Sequence, residues 1–307
     1  MFASLPLRFK ILFPSQRRRH PRWKFLFASA AGKMPQSPVS RMKIPPFLLV
    51  PAILCATAAL SGAALMLDFG PDQVADGATE LKSPYHTANP TFTGSEWNRI
   101  VADSTTDLID SSGVTMTGVR ANIGASTDTT STVSLTATPS GLGLTGTAFS
   151  GDIYAGTSVG RDGIFSGGNS GTARYTAFQI TGLAAGTYDI YVASRNTNNN
   201  ENYTQQVYAG AGVAGTNFDP VSAAYASGVI TYVNTPGFAT SAWVAGQNYA
   251  VVRVDLTAGQ ALNVGVKGGG AELRGFLNSA QIVAVPEPTA AALLGCGALA
   301  FGLRRRR

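Results

Sequence analysis

The sequence predicts an all-β protein: one β-sandwich or jelly-roll domain, preceded by a signal helix and followed by a short transmembrane helix. Three observations predict it. Gly alone accounts for 35 of 307 residues, and Thr, Ser, Ala, Asn and Val dominate the rest of the central region. Short runs there alternate apolar and polar residues between turn residues, while no stretch sustains a 3.6-residue apolar period. Both ends of the chain depart from this texture, carrying uncharged apolar runs beside basic residues.

The first strand is read at Leu65–Phe69 (LMLDF). Val114–Ala121 (VTMTGVRA) and Thr132–Thr138 (TVSLTAT) keep a period of two, and Tyr175–Ile180 is another short run of this kind. The clearest strand lies within Leu183–Arg195 (LAAGTYDIYVASR). There Ala185 and Gly186 turn the chain, Tyr188, Ile190 and Val192 face one side, and Asp189 and Tyr191 face the other. Tyr249–Leu256, Leu262–Val266 and Leu277–Val283 complete the series. A jelly roll brings its first and last strands together, so Leu65–Phe69 is expected beside Leu277–Val285. The phrases LAAGTYDIYV, VVRVDLTAGQALNVGV and GFLNSAQIV, within Tyr175–Val285, resemble the galactose-binding-like sandwiches of extracellular modules.

The last 23 residues, VPEPTAAALLGCGALAFGLRRRR, combine Pro286-Glu287-Pro288, an uncharged run from Thr289 to Leu303, and Arg304, Arg305, Arg306 and Arg307. The prolines stop the preceding strand, and the arginines hold the end of the apolar run at a cytoplasmic face. Fifteen residues span about 22 Å as a helix, at roughly 1.5 Å each, against a hydrocarbon core of about 30 Å. Such a segment suits a transient hold better than a lasting anchor. This order resembles the PEP-CTERM sorting signal of bacterial surface proteins. The resemblance implies an exosortase as processing partner, with Pro286, Glu287 and Pro288 as its recognition residues. It also implies a Gram-negative cell envelope, cell surface or matrix and an association with exopolysaccharide.

A sorting tail requires an export signal, and one begins at Met42: Lys43 is the basic part, Phe47 to Leu60 the apolar part, and Ser61-Gly62-Ala63-Ala64 the small residues that signal peptidase needs. Cleavage is expected after Ala63 or Ala64. Residues 1–41, basic through Arg17, Arg18, Arg19, Arg22 and Lys24, read as a disordered or misassigned extension, with a long n-region as the alternative. The division is therefore 1–41 extension, 42–64 signal peptide, 65–284 sandwich domain and 285–307 sorting signal.

Setting the signals aside changes what composition says. The whole chain carries a formal charge of +6, whereas residues 65–285 hold nine basic and sixteen acidic residues, a net of about −7. Nucleic acid is excluded as a partner, because phosphate binding needs a basic surface. Cys55 and Cys296 both lie in the signals, so the central domain has no disulfide and depends on packing.

Catalytic motifs are absent from the central region. His86 is its one histidine, so a Cys-His dyad is impossible and a Ser-His-Asp triad must use His86, which reads as a loop residue. Carboxylates such as Asp68, Asp152, Asp162, Asp189, Asp219, Asp255 and Glu272 supply candidates for a glycosidase pair, but spacing does not show which of them converge. Asp103, Asp107 and Asp110 form a faint calcium-loop pattern without the ligands of an EF-hand, and they read as solvated loop carboxylates. No catalytic residue, metal ligand or cofactor is assigned, and structural calcium is left open.

One segment reads as a binding loop. Arg195-Asn196-Thr197-Asn198-Asn199-Asn200-Glu201-Asn202-Tyr203 follows the best strand and combines amides, a guanidinium and a ring, groups that hold sugars. Trp97, Arg195, Asn198, Asn200 and Tyr203 are the candidate glycan contacts, and Trp243 is a further aromatic platform. Three functions remain open: a non-catalytic matrix protein, which the sequence favours, a carbohydrate-binding module, and a hydrolase with a carboxylate pair.

Overall fold

The computed structural model describes residues 63–71, 83–104, 106–126, 131–139, 141–144, 152–154, 159–168, 171–198, 203–232 and 241–286. All of them fall within Leu48–Arg307, one of two units into which the chain divides. The extension, the signal peptide up to Gly62, Asn200, Glu287, Pro288, the C-terminal helix and Arg304 to Arg307 lie outside the described residues. Among the described residues no helix is long and apolar enough to cross a membrane.

In chain order the elements are β1 (Leu65–Phe69), the short helix α1 (Pro84–Ala88), β2 (Asn98–Ile100), β3 (Leu108–Ile109), β4 (Thr115–Met116), β5 (Arg120–Ser126), β6 (Val133–Ser134) and β7 (Gly141–Leu144). They continue as β8 (Gly163–Ser166), β9 (Tyr175–Thr181), β10 (Gly186–Ala193), β11 (Tyr203–Val213), β12 (Asn217–Phe218) and β13 (Tyr225–Tyr232). Last come β14 (Tyr249–Leu256), β15 (Gln260–Gly269), β16 (Gly275–Leu277) and β17 (Ser279–Ala284).

The protein is an all-β sandwich of the expected class. A five-stranded sheet, β14-β10-β17-β1-β2, faces a seven-stranded one, β12-β6-β5-β9-β15-β11-β13. First and last strands pair antiparallel as expected, Leu65 opposite Ile282 and Asp68 opposite Ser279. Alternation decides which side chains enter the core. From the smaller sheet come Leu65, Leu67, Phe69, Ile190, Val192 and Ile282, and from the larger Phe178, Ile180, Val207, Ile230, Val264 and Val266. At about 1.5–3 kcal/mol per buried aliphatic or aromatic side chain, this layer outweighs any single polar contact.

Two sequence expectations are corrected. Val114–Ala121 is not one strand: β4 ends at Met116, and a turn carrying Gly118 at φ +83° separates it from β5. Only glycine adopts that conformation without strain, so the local period of two crosses a chain reversal. The Asn-rich loop does not last through Tyr203, because β11 begins there and runs eleven residues. Its Gln205 occupies an inward position and is wholly buried. The side chain survives there because Nε2 donates to the Arg274 carbonyl (2.9 Å), while Oε1 accepts from Phe276 N–H (3.2 Å) and the Ser194 hydroxyl (3.1 Å).

Candidate functional site

The strands give the sandwich two ends. β1 enters and β17 leaves at one of them, and β10 carries the chain from there to the other over Gly186–Ala193, about 25 Å at roughly 3.3 Å per residue. The entry end opens into an apolar cavity of about 300 Å³ lined by Leu65, Met116, Leu183, Tyr188, Ile282 and Ala284. Polar and aromatic groups gather at the far end, where β10 delivers Ser194 to Asn198.

Asn278, between β16 and β17 and fully buried, organises that far end. Its Oδ1 accepts the backbone N–H of Arg195 (2.6 Å), its Nδ2 donates to the Asp162 carbonyl (2.7 Å), and its own carbonyl accepts from Phe69 N–H (2.8 Å). Three chain segments distant in sequence are thereby held on one residue, two by its side chain and one by its backbone.

The structure buries Arg195, at 2 % exposure, where an exposed loop position was expected. Its guanidinium carbon lies 4.4 Å from the Tyr232 ring centroid, 5.7 Å from Tyr154 and 5.9 Å from Tyr203. These cation–π contacts gain strength from desolvation. Burial pushes the Tyr154 phenol up to about 12 against the opposing pull of Arg195, and it also raises Tyr203 and Tyr232 well above the ordinary phenol value. The Tyr203 hydroxyl accepts from Asn196 N–H, and the Tyr232 hydroxyl donates to the Ser194 carbonyl. Arg195 and Tyr203 are thus supports of the site, not its surface. Asn198 is exposed, with its N–H on Asn196 Oδ1 (3.1 Å), and Thr197 between them keeps a buried hydroxyl with no hydrogen-bond partner.

Sequence reasoning offered both Trp97 and Trp243 as aromatic platforms and placed Trp97 among the glycan contacts; the structure packs the two in different clusters. Trp243 stands edge-on to Tyr154 (5.8 Å, 71°) and to Tyr249 (6.4 Å, 72°), beside the Arg195 cage. An aromatic belt then runs over the outward face of the five-stranded sheet through Tyr191, Tyr85 and Phe92. Trp97 packs at its distant end with Ala64, Met66, Tyr85, Phe92 and Val283. It is half-buried, and its indole N–H is buried without a partner.

Two carboxylates converge that spacing did not reveal. Asp68 faces outward on β1 and Asp162 precedes β8, and each is 2 % exposed. Asp162 lies across Gly70, whose φ is +144°, where an added Cβ would stand 2.3 Å from Oδ2. Burial pushes Asp162 up to about 6. Asp68 rises well above the carboxylate range, first through burial and then through Asp162, with Arg99 and Arg161 opposing.

The three carboxylates of the calcium-loop pattern are tied to their own turns. Asp110 Oδ1 accepts from Ser112 N–H (2.8 Å), Ser112 Oγ (2.7 Å) and Val114 N–H (3.0 Å); Asp107 caps Gly118 N–H (3.0 Å) and pairs with Arg120 (3.0 Å); Asp103 caps Ile123 N–H (2.8 Å). They brace turns instead of converging, and no group of three or more His, Cys, Asp or Glu able to hold a metal occurs among the described residues. His86 sits in α1, not in a loop, buried between Ser83 Oγ and the Gly94 carbonyl (2.8 Å to Nε2), and burial lowers its pKa.

Among solved structures, the CBM35 from Cellvibrio japonicus Abf62 is similar at 14 % identity over 40 % of this chain and 74 % of its own, with a TM-score of 0.23. TmCBM61 in complex with β-1,4-galactotriose is similar at 10 % identity over 41 % and 72 % of the two chains, with a TM-score of 0.22. The GH26-CBM35 β-(1,4)-mannanase of Podospora anserina matches at 15 % identity over 42 % of this chain but 23 % of its own, with a TM-score of 0.23. No protein-family model matches the chain, and no curated protein is similar enough to count as a relative.

Proposed function

We propose that the chain is an exported, non-catalytic surface or matrix domain that binds carbohydrate through the far end of its sandwich. The observation that carries this reading is the exposed Asn198 amide at that end, its backbone held on Asn196 Oδ1 (3.1 Å) and its segment anchored through the buried Arg195 in the tyrosine cage. A planar side-chain amide offers a sugar both donors and an acceptor. The carbohydrate-binding modules among the similar structures are in keeping with it.

Export and sorting belong to the same proposal. Signal peptidase removes the leader, and an exosortase recognises Pro286-Glu287-Pro288 after transient insertion of the tail, delivering the domain to the exopolysaccharide layer of a Gram-negative surface. The order of triplet, apolar run and arginines supports this. So does the position of Pro286, two residues past β17 and directly after the last ladder contact, Val285 N–H to the Thr187 carbonyl (2.8 Å).

A hydrolase reading has one observation in its favour, the Asp68–Asp162 pair with raised pKa values. Both side chains are buried, so neither carboxyl is presented to a polysaccharide. A glycan array probed with the wild-type protein and Asn198→Ala tests the binding reading. Binding that falls severalfold in the variant is the expected result; no glycan bound by the wild type, or release of reducing sugar, overturns it.

A further inference from the structure

The apolar cavity at the entry end of the sandwich takes no part in the carbohydrate site. Leu65, Leu183, Tyr188 and Ile282 form its buried floor, and Ala63, Thr117 and Ala184 its exposed rim. No charged residue lines it, and the Tyr188 hydroxyl is already bonded to the Ala184 carbonyl (2.9 Å). A cavity of about 300 Å³ with this lining offers little to a sugar and much to aliphatic side chains.

The chain itself delivers such side chains to the cavity mouth. Ala284 lines the cavity, and the strand that carries it ends in the bond from Val285 N–H to the Thr187 carbonyl (2.8 Å). Pro286 and Pro288 do not extend the ladder and favour a turn, after which comes the uncharged run from Thr289 to Leu303. Its first large side chains, Leu293 and Leu294, follow Val285 by eight and nine residues. They lie within about 26 to 30 Å of it, at roughly 3.3 Å per residue. A tether this short holds the run beside the cavity at an effective concentration on the order of millimolar.

We propose that in the unprocessed chain this cavity is the docking site of the tail, with Leu293 and Leu294 seated in it. Eight of the fifteen residues from Thr289 to Leu303 are Ala or Gly, so a cavity for two large side chains covers a sizeable share of what the run must hide from water. The other apolar run, Phe47 to Leu60, ends three residues before Ala63 and also reaches the mouth. The cavity, however, needs Ile282 and Ala284 of β17, the last strand to be made, and on the export reading the leader has been removed by then. The docking rests on chain geometry; its use, keeping the run out of water until a hydrocarbon core takes all of it, rests on the sorting reading.

The two native cysteines supply the test, since Cys296 lies in the tail and Cys55 in the leader. One thiol introduced at the rim by Thr117→Cys then reports which segment occupies the cavity. The full chain is made in the cytoplasm of a host without an exosortase, purified without detergent, oxidised mildly and mapped by mass spectrometry. A disulfide within the chain, from the introduced thiol to Cys296, is expected to form roughly tenfold faster than from Asn198→Cys at the far end. It is expected to slow by roughly tenfold when Leu293→Asp and Leu294→Asp are added, because a buried unpaired carboxylate is costly. Both changes lie outside the sandwich, and a thermal melt verifies that it stays folded. Pairing with Cys55, disulfides between chains, equal rates at the two positions, no slowing by the aspartates, or a chain that stays in solution only with detergent each overturns the proposal. Recognition of Pro286-Glu287-Pro288 is decided separately, by the mass of the tail on the exported protein.

Discussion

Asn278 Oδ1 accepts the backbone N–H of Arg195 at 2.6 Å, and by this contact the link between β16 and β17 sets where the guanidinium enters its tyrosine cage. The same side chain holds the Asp162 carbonyl. Asn278→Ala strands a buried donor and a buried acceptor, each costing about 1–3 kcal/mol. A loss of about 2–4 kcal/mol in urea unfolding is expected, and a loss below about 1 kcal/mol would show that the hub is dispensable.

Asp162 predicts a pH dependence. Its folded pKa, about 6, exceeds its ordinary value of 3.8, so its contribution is fully present below the ordinary value and is lost as pH rises through the folded one. Asp68 shifts in the same direction. Asp162→Asn should match wild type in melting temperature near pH 4 and exceed it above pH 6.5. The expected gain is on the order of 2 kcal/mol after allowing for screening by nearby solvent. Parallel melting curves across that range would contradict this.

Trp97 separates packing from binding. Its indole N–H is buried and unpartnered, so Trp97→Phe removes an unsatisfied donor while keeping an aromatic ring against Tyr85 and Phe92. Stability within about 1 kcal/mol of wild type and unchanged glycan binding are expected. Loss of binding in this variant would move the sugar site to the opposite end of the aromatic belt.

Gln205 is a buried amide bonded to three groups of other segments, Ser194, Arg274 and Phe276. Gln205→Leu is isosteric enough to fill the space but leaves Phe276 N–H and the Arg274 carbonyl without partners. A destabilisation of about 2–4 kcal/mol, measured by urea unfolding, is expected despite the more apolar core.

The proposed leader cleavage can be placed by contacts. Ala64 donates its N–H to Ser111 Oγ (3.1 Å) and accepts Ser111 N–H at its carbonyl (2.8 Å), and it is fully buried. A cut after Ala63 leaves the carbonyl bond in place and a terminal ammonium facing Ser111 Oγ, whereas one after Ala64 removes both contacts. N-terminal sequencing of the exported protein is expected to begin at Ala64.

Much of the fold is legible because alternation is local. Gly186–Ala193 and Tyr249–Leu256 announce themselves by apolar residues at every second position, and the pairing of β1 with β17 follows from sandwich architecture. β11 escaped because Gln205 and Tyr203 occupy core positions that a polarity pattern assigns to a loop. Of the candidate segment, the exit of β10 was legible, but exposure was assigned by residue type, which fails for Arg195 because Tyr154, Tyr203 and Tyr232 from three separate parts of the fold supply its environment.

The sequence by itself determined the strand-rich class, the acidic cysteine-free composition between two basic ends, and the lack of common catalytic motifs. These are properties of composition and of neighbours two residues apart. Only the tertiary structure decided that Asp68 meets Asp162 and that Trp97 and Trp243 pack in different clusters. Each such meeting depends on the register between strands separated by tens of residues, and a one-residue slip would turn every one of those side chains to the other face.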